Sequence, residues 1–108
     1  MASDNVPELS GKEFDDFTKE GLVLIDFFAD YCMPCMRMVP VIEDLSQKFK
    51  GKIKFGKVDV SENGKIAQKF GVSSIPNFTI LKDGKVVDQI IGDVGEEELE
   101  KKLNGFLG

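Results

Sequence analysis

Tyr31-Cys-Met-Pro-Cys35 follows an apolar, β-rich stretch, Leu22-Val-Leu-Ile-Asp-Phe-Phe28, and leads into a helical pattern that ends near Phe49. This order predicts a strand, a turn and a helix, with Cys32 at the helix's first turn. Unpaired backbone N–H groups and the positive end of the helix dipole favour a thiolate there. Cys35 lies on the same helical face and can close a disulfide with Cys32. The pattern indicates a reversible dithiol/disulfide couple.

The remaining apolar patterns predict an α/β fold with a mixed sheet. The helix that carries the cysteines lies between two apolar strands, and such a unit requires parallel strands with a right-handed crossover. An Asp-Gly turn between two later apolar runs predicts a hairpin. The predicted elements are a helix from Ser10, opened by a Ser10/Glu13 capping box, to about Gly21; strand Leu22–Phe28; helix Pro34–Phe49, kinked at Pro40; strand Ile53–Val60; a helix capped by Ser61 that ends at Phe70; strands Asn77–Leu81 and Val86–Ile91; and helix Glu96–Leu107.

The composition favours one globular domain, residues 1–108, with 42% hydrophobic and 31% charged residues. A net charge of −5 without a Lys/Arg cluster argues against a nucleic-acid partner. No apolar run approaches the roughly 20 residues that cross a bilayer, so we expect no membrane partner. No secretory pattern is visible, and a lone cysteine pair in the reducing cytosol is usually transient and catalytic. We therefore expect a cytoplasmic protein.

Several stretches along the whole chain match the pattern of one known family. They are Val23–Cys35, Pro40, Lys57-Val-Asp59, Gly71-Val72, Ile75-Pro76, the Lys82-Asp-Gly84 turn and Gly92. In these residues the chain resembles the thioredoxin family over essentially its whole length. The resemblance implies a thioredoxin fold, with a five-stranded mixed β-sheet flanked by four α-helices. It also implies dithiol/disulfide exchange with client proteins, no bound cofactor, and re-reduction by thioredoxin reductase or an equivalent electron donor. We expect a monomer.

Four residues are expected to carry the chemistry. Cys32 would be the attacking thiolate, because it precedes the helix and should be the more exposed thiol, and Cys35 the buried resolving thiol. Asp26 interrupts the most apolar strand, so its carboxyl should be buried with a raised pKa. It resembles the family's acid that assists deprotonation of the resolving thiol. Lys57 shares the strand parity of Ile53 and Phe55, so its side chain should face the core, and it resembles the family's lysine that adjusts the pKa of this acid. The alternatives are an Asp26 that is only structurally paired and a Lys57 that lies at the surface.

The resemblance also implies a client-binding surface. In the family the Ile75–Pro76 bond is cis and packs against the cysteine pair, which leaves the backbone of Ile75 to pair with a client. Gly92 resembles a glycine that allows close backbone approach, although a simple strand-end turn explains it equally well. The residues expected to bind substrate are Tyr31, Met33, Pro34, Ile75, Pro76 and Gly92.

The chain departs from the family at three positions. Tyr31 stands where Trp is usual, Met33 where Gly is usual, and Asn77 where Thr is usual. These positions bear on the redox potential, the reductase and the choice of client, so an oxidant or isomerase of the same fold stays open. Met33 and Met36 would add an adaptable thioether surface beside the thiols, whereas Met38 is expected to pack in the core.

Other interpretations of the cysteine pair differ in their requirements. A zinc site needs four ligands, and two thiols without any histidine could supply them only in a dimer. Covalent haem attachment requires His after the second cysteine, where this chain has Met36. An inert disulfide, or a partner-binding module with incidental thiols, makes no demand on the neighbouring residues.

Overall fold

A computed structural model describes residues 3–108. These residues form α1 (Gly11–Thr18), β1 (Leu22–Phe28), α2 (Met33–Lys48), β2 (Lys54–Asp59), α3 (Gly64–Lys69), β3 (Asn77–Lys82), β4 (Lys85–Ile91) and α4 (Glu96–Leu107). The strand order is β2-β1-β3-β4. Within the described part of the chain, no helix combines the length and the apolar character that a membrane crossing needs.

Side chains of the central strand β1 alternate between two apolar cores on opposite faces of the sheet. Val23, Ile25 and Phe27 pack into the core that α1 and α3 cover, whereas Leu24 packs into the core under α2 and α4. Because β1 is covered on both faces, its sequence is nearly continuously apolar. Asp26 shares the parity of Leu24 and therefore faces the α2 side of the sheet.

The predicted strand pairing is confirmed. Strands β1 and β2 are parallel, and their register sets Asp26 opposite Lys57. Strands β3 and β4 form the predicted antiparallel hairpin. Its turn residues Asp83 and Gly84 have φ values of 51° and 85°, a left-handed conformation that Asp tolerates and Gly adopts freely. The last helix has the predicted bounds.

The expectation of five strands is wrong for residues 3–108, which form a four-stranded sheet. The segment beside β2 contributes one isolated parallel bridge, between Glu8 and Lys57. There the Leu9 N–H donates to the Lys57 carbonyl at 2.8 Å, and the Lys57 N–H donates to the Pro7 carbonyl at 2.9 Å. Pro7 has no N–H of its own, so it cannot donate to a longer ladder.

Helices α1 and α3 differ from the sequence prediction in different ways. Ser10 is the N-cap residue of α1 as predicted, but its side chain makes no capping hydrogen bond, and the Glu13 N–H donates to the Ser10 carbonyl at 3.1 Å instead, so the predicted capping box is wrong. Helix α1 also ends at Thr18, earlier than predicted. Helix α3 begins after Asn63 rather than after Ser61. The Asp59 carboxylate accepts hydrogen bonds from the Ser61 N–H and hydroxyl, at 2.9 and 2.6 Å, and holds that segment as a turn.

Candidate redox site

The two cysteines lie where β1 gives way to α2. Cys32 is the N-cap residue of α2, with φ −93° and ψ 107°. Its sulfur accepts a hydrogen bond from the Cys35 N–H at an N···S distance of 3.1 Å. The two residues are joined in a disulfide, with their Cα atoms 5.2 Å apart. Pro34 sits in the first turn, where a missing N–H leaves no helical hydrogen bond unmade.

The position at the helix start distinguishes the two sulfurs more clearly than exposure does. Cys32 is 7% exposed and Cys35 is 4% exposed, so the expected difference in accessibility is small in the disulfide form. Only the Cys32 sulfur receives a backbone N–H from the first turn of α2 among the described hydrogen bonds. Such a donor, together with the helix dipole, stabilises negative charge on that sulfur.

The residues flanking the cysteines are exposed and apolar. Tyr31 is 78% exposed, Met33 66% and Met36 55%, and these three side chains form the first wall of the site. Met38, two residues after Met36 on α2, is buried as predicted. Large apolar side chains that remain in water beside a buried reactive pair are typical of a surface that another molecule covers.

Ile75, Pro76 and Gly92 form the second wall of the site. Ile75 packs against the cluster of Ala29, Cys32 and Cys35. The Ile75–Pro76 bond is cis, as expected. The Gly92 N–H donates to the Pro76 carbonyl at 2.9 Å, and Gly92 has φ +99°, which favours glycine at this position.

Asp26 is buried, at 4% exposure, on the α2 side of the sheet. Its Oδ1 atom has no hydrogen-bond partner among the described residues. Burial raises the pKa of Asp26 to about 7, and the positive charge of Lys57 opposes part of that rise. Lys57 is buried beside it, with its ammonium 5.0 Å from the centre of the Phe28 ring. The predicted burial of both side chains is confirmed.

A cavity of about 70 Å³ brings these groups together, with Asp26, Cys35, Lys57 and Met36 among the residues that line it. The volume is sufficient for water molecules, and the carboxyl and ammonium groups are suitable partners for them. Three of the four residues expected to carry the chemistry, Asp26, Lys57 and Cys35, therefore line one cavity. The fourth, Cys32, is joined to Cys35 by the disulfide.

Sequence reasoning did not find every residue at the site. Phe28 and Val39 line the cavity, and their positions depend on how β1 and α2 pack. Arg37, to which the sequence assigned no role, donates from Nε to Asp93 Oδ2 at 2.8 Å. Asp93 follows β4, and no pattern in the sequence connects it with α2.

A group of three carboxylates lies apart from the cysteine pair. Carboxylate oxygens of Glu8, Asp59 and Glu62 lie within 4.8 Å of one another. One Asp59 oxygen already accepts two hydrogen bonds from Ser61, and neither cysteine belongs to this group.

Comparison with known proteins agrees with this geometry. The family model described as Thioredoxin matches residues 5–105. A thioredoxin of Bacillus subtilis is 41% identical over 102 residues, which cover 94% of this chain and 98% of that protein. One of Chlorobaculum thiosulfatiphilum is 44% identical over 86 residues, 80% of each chain. The structure of a mutant thioredoxin from Halobacterium salinarum superposes with a TM-score of 0.87 at 32% identity, covering 100% of this chain and 96% of that one. With likeness over nearly the full chain and a cysteine pair at the start of α2, this protein belongs to the thioredoxin family and exchanges dithiol for disulfide through Cys32 and Cys35.

Proposed function

We propose that this protein is a cytoplasmic protein-disulfide reductase of the thioredoxin type. The observation that carries the proposal is the cavity shared by the Asp26 carboxyl and Cys35, whose disulfide partner Cys32 caps α2. This arrangement supplies a sulfur activated by the start of the helix and a proton acceptor beside Cys35. Both are needed to complete a disulfide reduction.

In the first step the Cys32 thiolate attacks one sulfur of a client disulfide. A bond forms between the Cys32 sulfur and the client, the client's own S–S bond breaks, and its other sulfur leaves as a thiolate. The Cys35 N–H, which lies 3.1 Å from the Cys32 sulfur, favours the thiolate before attack.

In the second step Cys35 resolves the mixed disulfide. The Cys35 thiol gives its proton to the Asp26 carboxylate, directly or through water in the shared cavity, and the resulting thiolate attacks the Cys32 sulfur. The bond to the client breaks, the client's sulfur leaves as a thiolate and the Cys32–Cys35 disulfide forms, so two electrons have passed to the client. A pKa of about 7 suits Asp26 to accept this proton at neutral pH. Lys57 keeps that pKa from rising further.

The proposed client-binding surface surrounds the Cys32 sulfur. The free backbone of a client segment would lie along Ile75, beside the contact between Gly92 and Pro76. The exposed side chains around the cysteines would cover the client's apolar groups and exclude water. The residues assigned to this surface are Tyr31, Met33, Pro34, Ile75, Pro76 and Gly92.

We also propose the remaining partners. The oxidised pair would be re-reduced by thioredoxin reductase or an equivalent donor, because the chain has no flavin or nicotinamide motif of its own. We further propose that the protein is a monomer, folded as one domain over residues 1–108, which fits the family match. The acidic composition supports the absence of nucleic-acid partners, and we propose no membrane partner.

Trapping the mixed disulfide tests the order of the two steps. A Cys35→Ser variant should accumulate a covalent adduct with disulfide-containing proteins, because nothing resolves the bond to Cys32. A Cys32→Ser variant should accumulate far less adduct. Equal trapping by both variants would contradict the assigned roles, and cellular function retained without either cysteine would identify a binding module.

A redox titration tests the direction of electron flow. A midpoint at or below about −220 to −260 mV, the extracted cytosolic glutathione poise, supports a reductase. A midpoint of about −180 mV or higher would identify an oxidant or isomerase instead. Met33 would then be the first residue to replace, since it lies between the two cysteines.

A further inference from the structure

The ion pair between Arg37 and Asp93 joins two segments that are far apart in sequence. Arg37, the only arginine of the chain, lies on α2 two residues after Cys35. Asp93 lies in the loop between β4 and α4, directly after Gly92. The Arg37 Nε donates to the Asp93 carboxylate at 2.8 Å.

The pair is continuous with the second wall of the redox site. From Asp93 the chain leads back one residue to Gly92, whose N–H donates to the Pro76 carbonyl at 2.9 Å. Gly92 makes this contact with φ +99°, a backbone conformation that residues with a side chain rarely adopt. The connection therefore runs from α2 through Arg37 and Asp93 to the Gly92 and Pro76 backbone.

Arg37 also borders the first wall of the site. It lies four residues after Met33, on the same side of α2, and directly after Met36. Both methionines are exposed. The ion pair thus connects the helix that carries the cysteines to the Gly92 segment of the proposed client-binding surface.

We propose that Arg37 and Asp93 form a positioning pair, which holds the Gly92 segment at a set distance from α2 and thereby orders the surface that a protein client covers. This inference rests on the proposed function, because it concerns the docking of protein disulfides. A small disulfide reaches the Cys32 sulfur without covering both walls, so it depends less on their separation. The pair therefore determines preference for protein clients over small disulfides.

The expected effect is modest. Arg37 and Asp93 are 58% and 45% exposed, and exposed ion pairs contribute little free energy because water and salt screen them. We expect loss of the pair to lower kcat/KM for a protein client about two- to fivefold relative to the rate constant for a small disulfide, a range that matches the energy of such a pair. The loss should appear mainly in KM.

The test uses insulin as the protein disulfide and hydroxyethyl disulfide as the small one, with dithiothreitol as reductant. The variants are Arg37→Glu, Asp93→Lys and the double variant that exchanges the two charges. Lys48→Glu is the matched control, because Lys48 also lies on α2, is 48% exposed and pairs with α4 through Glu100 at 3.1 Å. It touches neither wall of the site. Circular dichroism and thermal unfolding verify the fold of each variant.

Each outcome decides the question. Lower insulin-to-small-disulfide ratios in both single variants, recovery in the double variant and no change in Lys48→Glu would support the positioning pair. No recovery in the double variant would assign the effect to the separate charges of Arg37 and Asp93 rather than to their pairing, and would overturn the inference. An equal loss of the ratio in Lys48→Glu would assign the effect to the packing of α2 in general and would also overturn the inference.

The two proposals can fail separately. A parent protein that does not reduce insulin would overturn the proposed function, and the role of the pair with it. An active parent whose single variants keep the parental ratio would overturn only the role of the pair.

Discussion

Asp26 on β1 lies directly opposite Lys57 on β2 in the parallel register, and both side chains are buried on the α2 side of the sheet. Burial disfavours the ionised carboxyl, while the neighbouring ammonium favours it. The pKa of Asp26, raised to about 7, results from desolvation that the charge of Lys57 only partly offsets. The protein thus keeps a carboxyl that titrates near neutrality beside its redox pair.

Replacing Asp26 by Asn should stabilise the disulfide form at alkaline pH. Because the pKa of Asp26 is higher in the folded state than its usual value of 3.8, the folded state binds more protons between about pH 4 and 7. The stability of the folded state therefore falls as pH rises through this window. Above pH 7 the protein bears the full free-energy cost of a buried, ionised carboxylate. We expect Asp26→Asn to raise the free energy of unfolding at pH 8 by up to about 4 kcal/mol, and by much less at pH 4, as measured by denaturant titration.

The control for this prediction is Asp15→Asn. Asp15 is an exposed residue of α1, so its replacement removes one negative charge without removing a buried carboxyl. A stability difference between Asp26→Asn and the parent that stays constant from pH 4 to 8 would mean that Asp26 does not titrate there in the folded protein.

Replacing Lys57 by Met should raise the pKa of Asp26 above about 7. The methionine side chain has a similar length and removes the positive charge that opposes the effect of burial. NMR titration of the Asp26 carboxyl carbon measures the change directly. Lys54→Met, on the same strand but exposed, should leave that pKa unaltered. A lower pKa in Lys57→Met would show that the ammonium does not favour the carboxylate.

The methionines near the redox pair should differ sharply in their reaction with hydrogen peroxide. Met33 and Met36 are more than half exposed, whereas Met38 is 1% exposed. Oxidation to the sulfoxide requires access of the peroxide to the thioether. Peptide mapping of the disulfide form should therefore find sulfoxide at Met33 and Met36 long before Met38. Similar rates at all three would mean that α2 opens on the timescale of the reaction.

Two glycine-to-alanine replacements should have opposite effects on stability. At Gly56 in β2 an added Cβ would lie 2.6 Å from Leu9 Cδ1 and 3.2 Å from Phe17 Cε2, so the core between α1 and the sheet must shift. We expect a loss of about 1–3 kcal/mol. At Gly105 in α4 nothing lies within 4 Å of an added Cβ, and alanine should gain about 0.5 kcal/mol through helix propensity. Chemical denaturation measures both, and a neutral Gly56→Ala would mean that Leu9 repacks freely.

Elements with a strong local pattern were predictable from the sequence. The apolar run of β1, the Asp-Gly turn and the acidic start of α4 each specify their structure through nearby residues, and all three were confirmed. The errors occurred where other groups compete for the backbone. The Asp59 carboxylate binds Ser61 and delays the start of α3, and the segment around Pro7 reaches β2 through a single bridge.

The features of the candidate site also fall into those that the sequence predicts and those that depend on tertiary packing. Cys32, Cys35 and the burial of Asp26 could be inferred from spacing and parity, because a strand and a helix impose their own periodicities on the residues within them. The cavity that Asp26 shares with Cys35, and the pairing of Arg37 with Asp93, could not be inferred. Each depends on the packing of segments far apart in the chain.

By itself, then, the sequence determined a redox pair at the start of a helix and a carboxyl within a buried strand, since both depend on neighbours a few residues away. The tertiary structure decided what surrounds that carboxyl and what connects the two walls of the site. Register between strands placed Lys57 beside Asp26, and the loop after β4 brought Asp93 to α2. Desolvation and charge act through space, so their effects appear only once the chain has folded.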